Sequence, residues 1–323
     1  MSAATGIGSM PGEDFLSSVQ LVVEELPDLP HLPELPARGA IAGLTGRAVA
    51  LTSALGFDLQ PAGWRLTDAP GVDHRRARSL LAQDLDVLEE QLDGYEGRFK
   101  VQVCGPWTLA STIEKPRGDK VLSDFGARRE LAQALAEGVR EHLADVQRRV
   151  PRAELVLQLD EPALPLVLAG QVPTASGFSR HRSVTPPLAQ DALEWVLAAA
   201  GDRATVVHCC AAEVPIGLVR RAGAQGVSVD LALLAAGDYE QLAVALDEGA
   251  QVWLGVVPST GRTVPSTKAP LERVVRLLDM LGFDPEEVSA QLVLTPSCGL
   301  AGADAAYATG ALRALREAAA ELV

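Results

Sequence analysis

Short apolar runs of four to seven residues alternate with longer stretches of 3.6-residue periodicity along almost the whole chain, and nothing else in the sequence narrows the possible folds as much. The apolar runs read as strands around Gly6–Met10, Phe57–Trp64, Phe99–Gly105, Glu154–Asp160, Ala204–Cys209, Gly226–Leu231, Gln251–Val257 and Gln291–Thr295. Helical periodicity marks Ala77–Leu92, Ala127–Val150, Ala189–Ala199, Tyr239–Leu246, Leu271–Leu281 and a final helix over Asp304–Leu322. Strand then helix, repeated with short connections, is the signature of a parallel sheet. At 323 residues the expected fold is α/β, a single (β/α)8 TIM barrel over residues 1–323, with an open doubly wound sheet as the alternative. Between the first two runs lies Leu26-Pro-Asp-Leu-Pro-His-Leu-Pro-Glu-Leu-Pro36, which cannot continue a helix and reads as an extended arm or surface connection.

Hydrophobic residues make up 48% of the chain, enough for a large buried core, and no stretch reaches the roughly 18 consecutive apolar residues of a membrane span. The first residues, MSAATGIGSMPGED, lack a basic segment followed by an apolar one, so a cytoplasmic enzyme is expected. With 42 acidic against 28 basic residues the formal charge is −14, which repels phosphate backbones and anionic lipid, so neither nucleic acid nor membrane is an expected partner. Four cysteines in a chain of this length do not make a disulfide scaffold; each is a buried small side chain, a metal ligand or a nucleophile.

In a barrel of this kind the functional residues gather at the carboxyl ends of the strands. Those positions carry Ile7-Gly8-Ser9, Cys104-Gly105-Pro106-Trp107, Asp160-Glu161-Pro162, His208-Cys209-Cys210, Asp230 and Ser297-Cys298-Gly299. His208 and Cys210, two residues apart in an extended segment, point to one side, and Cys209 points away. Neighbouring parallel strands are about 4.8 Å apart, so Asp230 on the next strand can reach an ion held by that pair. Cys298 completes the set from the far side of the mouth. Two thiolates, one imidazole and one carboxylate suit tetrahedral zinc, so Zn2+ is the expected cofactor, held by His208, Cys210, Asp230 and Cys298. The plain alternative is that such residues only pack, and that an acidic turn such as Asp160-Glu161-Pro162 only caps a helix.

Five motifs in order, Ile7-Gly8-Ser9, Gly105-Pro106, Asp160-Glu161-Pro162-Ala163-Leu164, His208-x-Cys210 and Pro296-x-Cys298-Gly299-Leu300, resemble the C-terminal catalytic barrel of the cobalamin-independent methionine synthase family. The resemblance spans nearly the whole chain and implies a single-barrel version without the N-terminal half of the long enzymes. It implies a zinc-dependent methyltransferase in which the metal activates the thiol of homocysteine, a methyl donor (a folate or a methyl-carrier protein) supplies the methyl group, and methionine is formed. By position it places Ile7, Gly8 and Ser9 around the amino acid and Asp160 on its ammonium group; a carboxylate beside a bound amino acid also pairs naturally with that group.

Departures accompany the likeness. The family's third metal ligand is usually Glu, and this chain has Asp230. Its amino-acid-binding Glu on the second strand aligns with Trp64. Ser111-Thr112 stand where the family has a pterin-stacking Trp, for which Trp107 is a substitute surface, and Gly255–Thr260 holds no counterpart of the catalytic His. The metal side therefore reads as retained and the donor side as rebuilt. Alkyl transfer to another thiol and a non-catalytic zinc- or thiol-binding barrel stay open as alternatives.

Overall fold

The computed structural model describes residues 2–322. Nine strands form: β1 (Ala3–Ala4), β2 (Gly56–Gln60), β3 (Gly63–Thr67), β4 (Gly97–Cys104), β5 (Ala153–Asp160), β6 (Ala204–Cys209), β7 (Gly226–Asp230), β8 (Gln251–Val257) and β9 (Leu292–Pro296). Seven of them make one sheet in the order β1-β9-β8-β7-β6-β5-β4, every pairing parallel. The order never reverses, which rules out the doubly wound alternative, because such a sheet changes direction part way across. The first strand lies beside the last, and the sheet curls. The helices Phe125–Arg149, Pro186–Ala198, Ile216–Arg221, Ala236–Asp247, Lys268–Leu281 and Ala305–Glu321 return the chain between strands or cover it. None of the described helices is long and apolar enough to cross a membrane.

Three expectations are corrected. The first strand is Ala3–Ala4, and Gly6–Met10 continues from it as extended chain with one bridge, Ser9 to Glu34. Phe57–Trp64 is not one strand: Pro61 and Ala62 turn it into the antiparallel hairpin β2–β3, outside the main sheet. The Pro-rich segment is not a surface connection. Leu29, His31, Leu32 and Leu35 are all buried, and the segment bonds to both edges of the sheet. On one side Leu32 donates to Lys100 O at 2.9 Å and Lys100 donates to Pro30 O at 2.8 Å. On the other, Glu34 donates to Gly8 O at 3.1 Å and Met10 donates to Glu34 O at 2.8 Å. Proline removes a donor only at its own position, so Pro30 and Pro33 leave the amides of Leu32 and Glu34 free for the two edges.

Inside the curl the residues change character along the strands. Ala3, Leu29, Val156, Val206, Trp253 and Val293 form an apolar layer separate from the main core. Two residues further along the same faces come Gln158 and His208, since alternate residues share a face. The interior is therefore apolar at the base and polar towards the strand ends, where the candidate residues gather.

The helix Phe125–Arg149 buries His142, whose imidazole is brought down to about 4 by desolvation and by the Arg47 cation. Burial pushes His31 and His74 the same way. An unfolded His titrates near 6.5, so below that pH the unfolded chain takes up protons that the fold refuses. Stability is then full above about pH 6.5 and declines towards pH 4, with His142 accounting for up to about 3 kcal/mol. Urea unfolding at pH 7 and pH 4.5 should show this loss, and His142→Gln should reduce it; equal losses in the two proteins would exclude His142 as a cause.

Candidate metal and amino-acid site

The His208, Cys210 and Cys298 side chains converge where β6 and β9 end. One ligand atom from each lies within 4.8 Å of the others. The Cys210 and Cys298 Sγ atoms are 3.0 Å apart. Sharing one proton between them, the pair splits: the hydrogen bond from Cys210 and the His208 ring hold the Cys298 thiol well below its ordinary range, and the same bond and burial push Cys210 up. The His208 ring is oriented by its neighbour on β7, with Nδ1 2.9 Å from Ser228 Oγ. That contact leaves Nε2 buried without a protein partner. An orphaned imidazole nitrogen beside two sulfurs is a donor set fit for zinc, with Ser228 fixing the ring from behind as metal-site histidines usually require. Cys209 points the other way into the main core, where burial raises its thiol to about 12.

Asp230 ends β7 beside this group, where burial and the nearby Cys298 raise its carboxyl above the ordinary value, yet its carboxylate is not among the three converging ligand atoms. Its Oδ1 accepts from Ala232 N–H at 2.9 Å and caps the turn that follows.

Cys298 faces a small cavity of about 130 Å³ whose lining also includes His208, Cys210, Ile7, Gly8, Ser9, Glu34 and Asp160. The loop holding Ser9 and the loop holding Cys298 are drawn together by a 2.8 Å bond from Leu300 N–H to Ser9 O. A Cβ at Gly299 would meet Ser9 Oγ, so a larger residue there would require the Ser9 side chain to turn away. Asp160 is buried beside His208, its register partner. Burial and the Glu34 carboxylate hold its pKa well above the carboxylate range, with Lys100 acting in the opposite sense. Glu34 accepts from Gln102 Nε2 at 3.1 Å and pairs with Arg47 Nε at 3.2 Å. The sequence reading missed Glu34, because it lies in the Pro-rich segment; its place among three prolines hid an ordinary strand-end position.

Trp64, read as occupying the acidic position of the amino-acid site, is buried on the β2–β3 hairpin and does not line the cavity. Trp107 is buried as well, its indole donating to Ala189 O at 2.9 Å and the Arg128 guanidinium 5.9 Å from its ring centre. Glu161 does cap a helix, though not its own: it accepts from Trp107 N–H, Thr108 N–H and Thr108 Oγ1 at the start of Pro106–Thr112. A Cβ at position 105 would strike that carboxylate, which accounts for Gly105.

A curled parallel sheet whose strand ends bring two thiols and an imidazole close to a pair of buried carboxylates defines an α/β protein with a candidate metal site at its strand ends. The chain belongs to the cobalamin-independent synthase family, matching the model of that family's catalytic domain over residues 107–321. Among solved structures it is similar to a B12-independent methionine synthase from Shewanella sp. W3-18-1 in complex with selenomethionine, with TM-score 0.61, 12% identity and coverage of 99% of this chain and 97% of that one. An intracellular xylanase from Thermoanaerobacterium saccharolyticum aligns over 90% of each chain at 10% identity with a TM-score of 0.36, too low to carry an argument. No curated protein matches.

Proposed function

We propose that this chain is a zinc-dependent methyltransferase that moves a methyl group to the thiol of homocysteine and forms methionine, acting as one catalytic domain over residues 1–323 in the cytoplasm. The observation that carries the reading is the convergence of His208, Cys210 and Cys298 around an unpartnered His208 Nε2, on a cavity also lined by Asp160 and Glu34. Family membership supports it, and the seven-stranded sheet with Pro30–Glu34 bonded across its edges supports counting the fold as a closed (β/α)8 barrel.

When bound, zinc would lower the pKa of a coordinated thiol so that it is a thiolate near neutrality. His208, Cys210 and Cys298 would hold the ion, and Asp230, at the end of β7 beside them, would be the fourth ligand. The substrate's ammonium group would pair with Asp160 and Glu34, the two carboxylates that line the same cavity as the sulfurs. Ile7, Gly8 and Ser9 form the backbone edge of that end. The carboxylates and the sulfurs together fix which end of an amino-thiol faces the metal, so the thiol is presented with one orientation to an incoming methyl group. With no His in Gly255–Thr260 and Trp107 buried, the donor is assigned only as a methyl carrier, folate or protein-borne.

Purified protein should contain near-stoichiometric zinc, and the zinc X-ray absorption spectrum should gain a sulfur neighbour when homocysteine is added. Zinc that ignores homocysteine would redirect the reading to another thiol. Failure to bind zinc after reconstitution under reducing conditions would remove it altogether.

A further inference from the structure

Below the cavity, between the carboxylate wall and the apolar base of the sheet, lies a fully buried lysine. Lysine is almost never buried completely without a partner of opposite charge in contact. Lys100 has 0% exposure, and its Nζ bonds three oxygens, none of them charged: Ile7 O at 2.7 Å, Gln158 Oε1 at 2.8 Å and Gln102 Oε1 at 3.3 Å. An ammonium has three donors and no acceptor, so this set is complete.

The consequence falls on the two glutamines. Each must turn its oxygen to Lys100, which forces its NH2 to face the other way. Gln158 Nε2 then donates to Asp160 Oδ1 at 2.7 Å and to Ile7 O at 2.8 Å. Gln102 Nε2 donates to Glu34 Oε1 at 3.1 Å and to Leu32 O at 2.6 Å. One cation thus reaches both cavity carboxylates through one amide each, and reaches the Ile7 carbonyl directly. A flipped amide would set its oxygen against a carboxylate and its NH2 against the ammonium, so the lysine allows one orientation only.

We propose that Lys100 is a positioning residue for the amino-acid end of the cavity, fixing Gln158 and Gln102 so that Asp160 and Glu34 are held ready for a substrate ammonium group. This rests on the homocysteine reading above. Packing alone does not call for it: Lys100 is level with Val156, its register partner in the apolar layer, and a methionine would fill position 100 without the desolvation of a cation. That desolvation is real, since burial brings the Lys100 ammonium down to about 7 while Asp160 and Glu34 pull it back up. Lys100 does not touch the three sulfur and imidazole ligands, so its effect should be confined to the amino end of a ligand.

The test compares two thiols on the zinc-loaded chain: homocysteine, and 4-mercaptobutyrate, which lacks only the amino group. Wild type should bind homocysteine more tightly. Lys100→Met should weaken homocysteine binding by about 30-fold, the size of one buried charge-assisted interaction, while 4-mercaptobutyrate changes by less than about threefold. In turnover the same loss should enter KM and leave kcat nearly unchanged, with zinc content at the wild-type level. Gln102→Met and Gln158→Met, which each cut one arm and keep the lysine, should give smaller losses with the same selectivity, and they decide the matter if Lys100→Met does not fold. Equal losses for both thiols, or none for homocysteine, would overturn the assignment. A wild-type chain that binds the two thiols alike overturns the homocysteine reading, and this assignment with it, before any variant is compared.

Discussion

Cys298→Ala is expected to yield a folded protein that retains little zinc and transfers methyl groups at least about 10³-fold more slowly than wild type. Three side chains hold the site together, and Cys298 is the one whose thiol its neighbours Cys210 and His208 draw below the ordinary range. Changing a residue that only supports a metal ligand commonly costs 10- to 100-fold, so removing a ligand itself should exceed that range by about a further order of magnitude. The fold should survive, because Cys298 lies on a loop after β9 and belongs to neither apolar cluster. Cys209→Ala supplies the control: it removes a thiol one residue from Cys210 but on the opposite face, so zinc and turnover should persist apart from a modest loss of stability. Elemental analysis of the two variants side by side checks the point. Full zinc in Cys298→Ala would mean that the metal, if bound, sits elsewhere.

The second large effect belongs to Asp160. Asp160→Ala should keep its zinc and lose about 10²- to 10³-fold in kcat/KM for homocysteine, since truncating one partner of a buried charge pair costs 2–5 kcal/mol. In the empty cavity Asp160 carries its charge at a disadvantage, because burial and the Glu34 carboxylate both oppose it. An arriving ammonium relieves both, so the loss should appear mainly in KM. A variant whose KM is unchanged and whose kcat collapses would move Asp160 from binding the amino acid to the chemistry.

The strands from β4 to β9 were legible because each is a short, largely apolar run buried over most of its length, and the thiol–imidazole set was legible because His208 and Cys210 follow the strand period directly. The amino-terminal quarter was not. Ala3–Ala4 is too short and too small to register as a strand, and its pairing with β9 comes from residues nearly the whole chain away. At β2–β3 the turn signal of Pro61-Ala62-Gly63 was read as strand interior, which carried Trp64 onto the wrong wall. Glu34 was hidden for a similar reason. Proline every third residue looks incompatible with a sheet until the register shows that the two amides doing the bonding are those of Leu32 and Glu34. The convergence of Cys210 and Cys298 across the mouth, and the distance Asp230 keeps from them, depend on loop geometry that no periodicity encodes.

The pairing of β1 with β9 has a consequence for how the protein is made. A ribosome releases Ala3 and Ala4 long before their partners Val293 and Leu294. Throughout that interval the nascent chain carries open sheet edges, the arrangement most exposed to wrong pairing and the one that slows folding when contacts are distant in sequence. Cys298 emerges later still. A nascent chain that has not yet reached it holds His208 and Cys210 without the sulfur that completes their group. Newly made polypeptide should therefore depend on chaperones that shield strand edges, and in timed translation any zinc uptake should not precede the release of Cys298.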